Sequence, residues 1–287
     1  MSSFTEKTIK ITIYLRQGVF LHGGNTVVIE NLPMDVSIVK SGGQELNKAE
    51  VVVQNMKIDT IKSLTMLAFR KLQSLNNIIK IECGIKGRKL DTVFQGEITS
   101  AVPVANNDGS MTFKIESMTG YYPNQLPTPP VSVQGEVTIE KLMQQFAEEA
   151  GYDFENKGVN GSVSNCVFAG SPIMKAKTLA NQVGVDLLID DRKFILQPFE
   201  FTQTGLIPLL SDLSGLIGYP SFTNDGVQCK ALFNVSFVLG GFFELKSILP
   251  MSSGVWKISR LEHKLSTNHS TGSNWFSNIT GVWAKKV

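Results

Sequence analysis

Short apolar runs broken by turn residues recur along most of the chain. Between residue 8 and about residue 122 the runs IKITIYL, NTVVIE, DVSIVKS, AEVVVQN, IIKIECG, DTVFQGEIT and MTFKIES show a partial two-residue alternation. That is the pattern of strands with one covered face, in open sheets or closed barrels. One stretch departs from it: Asp59 stands where it can cap a short helix on which Ile61, Leu64 and Ala68 share a face. Residues 1–127 are therefore predicted to be a barrel-like β domain with one helical excursion.

The segment TGYYPNQLPTPPVSVQG holds four prolines and no helical period. Proline fixes φ and withholds a backbone donor, so a stiff extended connection is predicted, with a boundary near residue 127. A surface loop inside one larger domain is the alternative. The period then changes: Ile139, Leu142, Met143, Phe146 and Ala150 have helical spacing, Thr138 can cap them and Gly151 can stop them. After YDFEN and a turn-rich SVSNCVFAG, Ser171 and Pro172 open a second helix that Gly184 ends. VDLLID and KFILQPF then form a hairpin through Asp190, Asp191 and Arg192. Residues 128–200 read as a small α/β docking domain.

From about residue 205 the strand pattern returns in GLIGYPSF, VQCKALFN, FFELKSILP, GVWKISRLEHKLS and WFSNITGVWA. The predicted fold class is mainly β with an α+β insertion. Two barrel-like β domains, 1–127 and 201–287, flank the small α/β domain.

Composition narrows the function. Charged residues make up 18% of the chain, below the roughly 25% of ordinary soluble domains, beside 25 glycines and 17 phenylalanines. Neutral surface of this kind suits faces covered by partners. The formal net charge of +2 is too even to give a broad footprint on nucleic acid or anionic lipid. No apolar run reaches the roughly 20 residues of a membrane-crossing helix, and MSSFTEKTIK lacks the pattern of a signal peptide, so synthesis in the cytoplasm is expected.

Candidate chemistry is sparse. Cys83, Cys166 and Cys229 form no CxxC pair and read as core or strand residues. His22, His263 and His269 have no metal-binding spacing, so no metal and no cofactor is expected. In a strand His263 faces away from Glu262 and reads as structural. The pair Asp190 and Asp191 is explained by turn preference and solvation, and Glu148 with Glu149 by the polar face of a helix. There is no GxSxG elbow and no glycine-rich phosphate cradle. The aromatic pairs Tyr121–Tyr122, Phe242–Phe243 and Trp275–Phe276 are expected to put one ring into a core and the other outward.

Several ordered segments carry a resemblance: TIYLRQGVF, IVKSGGQELNKAEVVVQNM, FQGEITSA, TGYYPNQLPTPP, GYPSFTNDGVQCKALFN, GGFFELKS and GVWKISRLEHKLS followed by WFSNI. Together they span nearly the whole chain. In them the chain resembles the baseplate hub proteins of tailed bacteriophages, the family of phage tail control protein D and the contractile-tail hubs. The resemblance implies a non-enzymatic structural protein in the virion tail baseplate, assembled in the host cytoplasm. It further implies a homotrimeric ring whose six β modules adapt a sixfold tail tube to a threefold central spike or distal tail protein. Its expected partners are other copies of itself, the tail tube protein, the spike and other baseplate proteins, with DNA passing through the channel unbound.

On this resemblance Tyr14 and Phe20 support the first barrel, and Ser41, Gly42, Gly43 and Asn47 shape an exposed turn. Tyr121 and Tyr122 are further fold or interface candidates. Tyr219, Phe222, Asn234, Gly240, Gly241, Trp256, His263, Trp275 and Phe276 are assigned to the second barrel or its contacts. Gly240 and Gly241 are expected to allow a bulge or a close backbone approach. The competing reading is a carbohydrate- or receptor-binding β protein of a tail tip.

Overall fold

The computed structural model describes residues 6–15, 20, 23–43, 45–69, 77–199, 207–224, 226–268 and 274–283. His22 and His269 lie outside them. The first β region contains β1 (Lys7–Tyr14), β2 (Thr26–Glu30), β3 (Met34–Ser41), β4 (Lys48–Gln54), α1 (Ile58–Phe69), β5 (Ile78–Ile85), β6 (Asp91–Ala105) and β7 (Met111–Met118). The middle region contains α2 (Tyr121–Gln125), β8 (Thr128–Thr138), α3 (Ile139–Ala150), β9 (Asp153–Asn156), β10 (Ser162–Gly170), α4 (Pro172–Val183), β11 (Val185–Asp190) and β12 (Lys193–Pro198). The last contains β13 (Leu209–Leu210), β14 (Leu216–Thr223), β15 (Gly226–Leu232), β16 (Phe242–Leu245), β17 (Gly254–Thr267) and β18 (Trp275–Trp283).

The protein is mainly β with a small α+β region, but the two β regions are not separate sheets. They form one 13-stranded sheet in the order β14-β15-β18-β17-β3-β4-β7-β6-β5-β1-β2, with β16 on the outer half of β17 and β13 on β16. The junction is an antiparallel ladder from Arg260↔Ser41 to Thr267↔Met34. Among the described residues no ladder joins β14 to β2, so the strands do not close into a barrel by pairing. Across the gap between β17 and β1, Thr267 Oγ1 donates to the Lys7 carbonyl at 3.3 Å.

β17 serves two cores. Trp256, Ile258 and Leu261 pack with Val227, Phe243 and Ile279, whereas Leu265 and Trp275 join Ile9, Ile11, Val36 and Phe113 in the first core. Trp275, assigned from sequence to the second barrel, thus fills the first core. Its Nε1 donates to Ser266 O at 2.7 Å, which meets the polar demand of a buried indole.

The middle region has its own core of Leu142, Phe146, Phe168, Ile173, Leu179, Phe194 and Leu196. Thr138 Oγ1 accepts from Lys141 N at the start of α3, and Gly151 ends it at φ 71. Ser171 Oγ accepts from Met174 N ahead of α4, and Gly184 ends that helix at φ 69. The proline-rich stretch is not a bare connection: its first part forms α2, and Thr128–Thr138 pairs with β10. Pro129 and Pro130 are tolerated because β8 has a strand on one side only. SVSNCVFAG is likewise a strand rather than a turn. α1 begins at Ile58, so Asp59 lies in its first turn instead of capping it.

Candidate functional site

The turn joining β11 to β12 makes a dense set of ties to the first β region. Asp191 (φ 44) and Arg192 (φ 64) both adopt left-handed backbone, the geometry of a two-residue hairpin that normally selects Asn or Gly. Holding ordinary side chains there costs energy, and it persists where the surroundings over-determine it. Here they do. Lys40 Nζ, on β3, lies 2.8 Å from Asp190 Oδ1 and 3.1 Å from Asp191 Oδ2. Asn47 Nδ2 donates to Asp190 Oδ1 at 2.8 Å and to Ile189 O at 3.1 Å. The Gln95 amide donates to Asp191 Oδ1 at 2.9 Å.

Electrostatics match this geometry. Burial works against the Lys40 ammonium, but the two carboxylates outweigh it and hold its pKa above the ordinary value. Asp191 is pushed upward by burial first and then by Asp190, with Lys40 pulling the other way. The sequence reading of this pair as a solvated turn is corrected: two acids and one lysine form a desolvated cluster between the middle and first β regions.

Arg192 makes a second tie. Its guanidinium stacks over the Tyr152 ring, 4.8 Å from the centroid, and donates to Gly151 O at 2.7 Å and Glu97 Oε1 at 3.3 Å. Glu97 is buried and also accepts from Tyr152 OH at 2.7 Å, Gly120 N at 2.8 Å and Tyr121 N at 3.1 Å. Burial, then the neighbouring Glu97 charge, raises the Tyr152 pKa well above normal, so its hydroxyl stays a donor.

The same strand, β11, also meets the last region. Lys257 Nζ reaches Asp186 Oδ2 at 2.5 Å and Phe199 O at 3.2 Å. Gly240, at φ 73, lies so close to Leu188 that an added β-carbon would overlap Leu188 Cδ1. The β11 hairpin is thus held to the first β region by charge at Lys40, and to the last by charge at Lys257 and by close packing at Gly240.

The sheet itself presents one continuous outward face, whose central row is polar from β17 to β6. Residues directly opposite in antiparallel strands share a face. The row Leu232, Phe276, Lys264, Ser37, Glu50, Glu116 and Ser100 crosses β15, β18, β17, β3, β4, β7 and β6 in register. All seven are exposed or half-buried. The residues between them, Leu265, Val36, Val51, Ile115 and Ala101, point into the first core. Charges on the polar face neutralise one another locally: Lys264–Glu262 at 3.2 Å, Lys114–Glu50 at 3.0 Å and Lys114–Glu116 at 2.9 Å. Such exposed pairs add little stability; their consequence is a face without a block of one sign.

The remaining residues singled out from sequence divide by burial. Phe20, Asn47, Gly240, Gly241, Trp256, His263 and Trp275 are buried. Gly42, Gly43, Asn234, Tyr219 and Phe222 are exposed, Tyr219 and Phe222 by 75% and 53%. Asn47, though buried, closes the turn by accepting from Ser41 N at 3.0 Å while its amide donates to the Asp190 cluster. Tyr14 sits at the end of β1, and Tyr121 and Tyr122 meet edge to face at 5.2 Å in α2, not in a strand. Phe242 and Phe243 are both buried, whereas Trp275 and Phe276 alternate as a half-covered strand requires. His263 shares a 2.8 Å hydrogen bond with Ser277 Oγ; burial, then Lys40, push its pKa down to about 3, so it is neutral and structural at neutral pH. Among the described residues no group of His, Cys, Asp and Glu is arranged to hold a metal ion.

A sheet spanning both halves of the chain, faced by neutralised charge and braced by an α+β region, defines a building block rather than a reaction centre. The sequence matches the family model described as baseplate hub gp41 over residues 8–276, and the chain belongs to that family. Its role is that of a structural protein of the phage tail baseplate. The curated proteins give no match. Among solved structures, the tail protein from Neisseria meningitidis MC58 is similar, with a TM-score of 0.66 and 10% identity over 96% of each chain. The 43 kDa tail protein of prophage MuSo2 from Shewanella oneidensis follows at 0.63 and 9%, over 97% of this chain and 96% of that one. A Francisella PdpA–VgrG complex matches at 0.55 and 8%, over 98% of this chain but 59% of the other. At these identities the likeness is one of fold. No helix of the described residues is long and apolar enough to cross a membrane.

Proposed function

We propose that the protein is the hub subunit of a trimeric ring with an axial channel, adapting a sixfold tail tube to a threefold spike or distal tail protein. The observation that carries this reading is the outward face that runs in register from β15 to β6 across both β regions and is polar, with paired charges, from β17 to β6. A channel that passes DNA must not bind it, and a basic wall would do so by counterion release; a face of paired, opposite charges would not. The two β regions, 1–127 and 201–287, then act as two modules per chain, each closing toward a barrel, with 128–200 as the brace between them. Gly42, Gly43, Tyr219, Phe222 and Asn234 are positions for contact with neighbouring subunits or with tube, spike and baseplate proteins. Phe20, Asn47, Gly240, Gly241, Trp256, His263 and Trp275 serve the fold; Tyr14, Tyr121, Tyr122 and Phe276 lie between these roles.

Static light scattering over a concentration series tests the stoichiometry, because trimerisation follows mass action. A species of three chain masses that grows with concentration is expected. A monomer at every concentration, or a stable assembly of another order, contradicts the reading, and binding of glycans by that monomer would move it to a receptor-binding protein.

A further inference from the structure

The β11–β12 hairpin has two faces with different surroundings. Leu187, Phe194 and Leu196 point into the middle core. Asp186, Leu188 and Gln197 lie on the other face, since side chains alternate along a strand and Gln197 stands opposite Asp186 in the ladder. That face lies against the last region: Asp186 pairs with Lys257, and the backbone at Gly240 packs on Leu188 and Gln197. Leu188 is buried, as are Leu239 and Phe242 on either side of Gly240 and Gly241, yet none of the three belongs to one of the cores.

Gln197 fits this seam badly. It is 1% exposed, and among the described residues neither its Nε2 nor its Oε1 has a hydrogen-bond partner. A primary amide can donate two bonds and accept two, and burying it without them carries a cost that contact with water would remove. An apolar side chain of the same shape would serve the closed seam better.

The joint to the first region is built the other way. There Lys40, Asp190, Asp191 and Asn47 satisfy one another, and Glu97 accepts from Arg192, Tyr152 and two backbone amides. At the seam to the last region the described polar contacts come from Lys257, which reaches Asp186 and the Phe199 carbonyl. Lys257 and Asp186 keep 14% and 22% of their side chains in water, so parting them costs less than breaking the more deeply buried Lys40 cluster.

We propose that the seam between the β11–β12 hairpin and the last region is a releasable joint. The hairpin stays fixed to the first region by its turn, while the face carrying Leu188 and Gln197 parts from Gly240 and the Gln197 amide gains water. The last region keeps its place in the sheet through the ladder of β17 with β3, so opening is local and unpairs no strand. The joint is a property of the single chain and does not depend on the ring.

Thiol labelling of the full-length chain, read site by site by mass spectrometry, tests this. Leu188→Cys reports the seam. Native Cys83 and Cys229, in the first and last cores, and Ala176→Cys, in the middle core, report unfolding of each region. Without denaturant, Leu188→Cys is expected to react about tenfold or more faster than all three. Adding Gln197→Met, which keeps the length of the side chain and removes the unpaired amide, is expected to slow that reaction by about tenfold and to raise the melting temperature. A Leu188→Cys site that reacts no faster than the three controls overturns the proposal. So does a Gln197→Met chain that melts lower or labels at an unchanged rate, since the amide would then cost nothing in the closed seam.

Discussion

Replacing Lys40 by methionine lowers the unfolding free energy by about 3–5 kcal/mol at neutral pH, the range for removing one partner of a buried charged set. The ammonium side chain is 7% exposed and its removal leaves Asp190 and Asp191 facing each other without a counter-charge. The variant also enlarges a pH response that the wild-type Asp191 already has. Asp191 already has a raised pKa in the folded protein, and loss of Lys40 raises it further. A carboxyl whose folded pKa exceeds its unfolded value binds more protons when folded, so it contributes stability below the unfolded pKa that is lost as pH rises through the folded one. Urea denaturation from neutral pH down to about pH 5 should therefore show Lys40→Met recovering part of its deficit. A loss under about 1 kcal/mol, or a deficit that deepens on acidification, would show that the cluster does not hold the middle region to the first.

Gly240→Ala has the second largest expected effect. The residue sits at φ 73, where an L side chain is strained, and the added methyl would overlap Leu188 Cδ1 while standing 3.0 Å from Gln197 Nε2. Backbone strain and overpacking together cost about 2–4 kcal/mol. Because Gly240 N is also bonded to Ile258 O at 2.9 Å, the backbone is not free to retreat. A thermal melt of Gly240→Ala within a degree or two of wild type would show that the middle and last regions are not in close contact there.

The sequence disclosed local structure and concealed how distant pieces join. Met34, Val36 and Ile38 alternate with Asp35 and Ser37 so cleanly that β3 was legible, and Thr138, Gly151, Ser171 and Gly184 marked both long helices of the middle region. Two barrel-like domains were expected because nothing local reports that Arg260–Thr267 pairs with Met34–Ser41 across the length of the chain. Four prolines hid a strand because the rule that excludes proline from sheets relaxes at an edge. The aspartate cluster was missed for a related reason: turn preference explained Asp190 and Asp191 fully until Lys40 and Asn47 were brought to them. One signal was present, since a two-residue hairpin turn built from Asp-Arg instead of Asn-Gly is strained and needs outside support. The family was legible in motifs scattered in order over the chain, while the shared outward face of the sheet was not, since it exists only once seven strands are in register.

The central claim, that the polar face of the shared sheet lines the axis of a threefold ring, is tested most directly by electron cryomicroscopy of the purified assembly. The account predicts threefold symmetry with Lys264, Glu50, Glu116 and Ser37 facing the channel. A ring in which that face points outward or lies buried between subunits, or an assembly without a threefold axis, would contradict it.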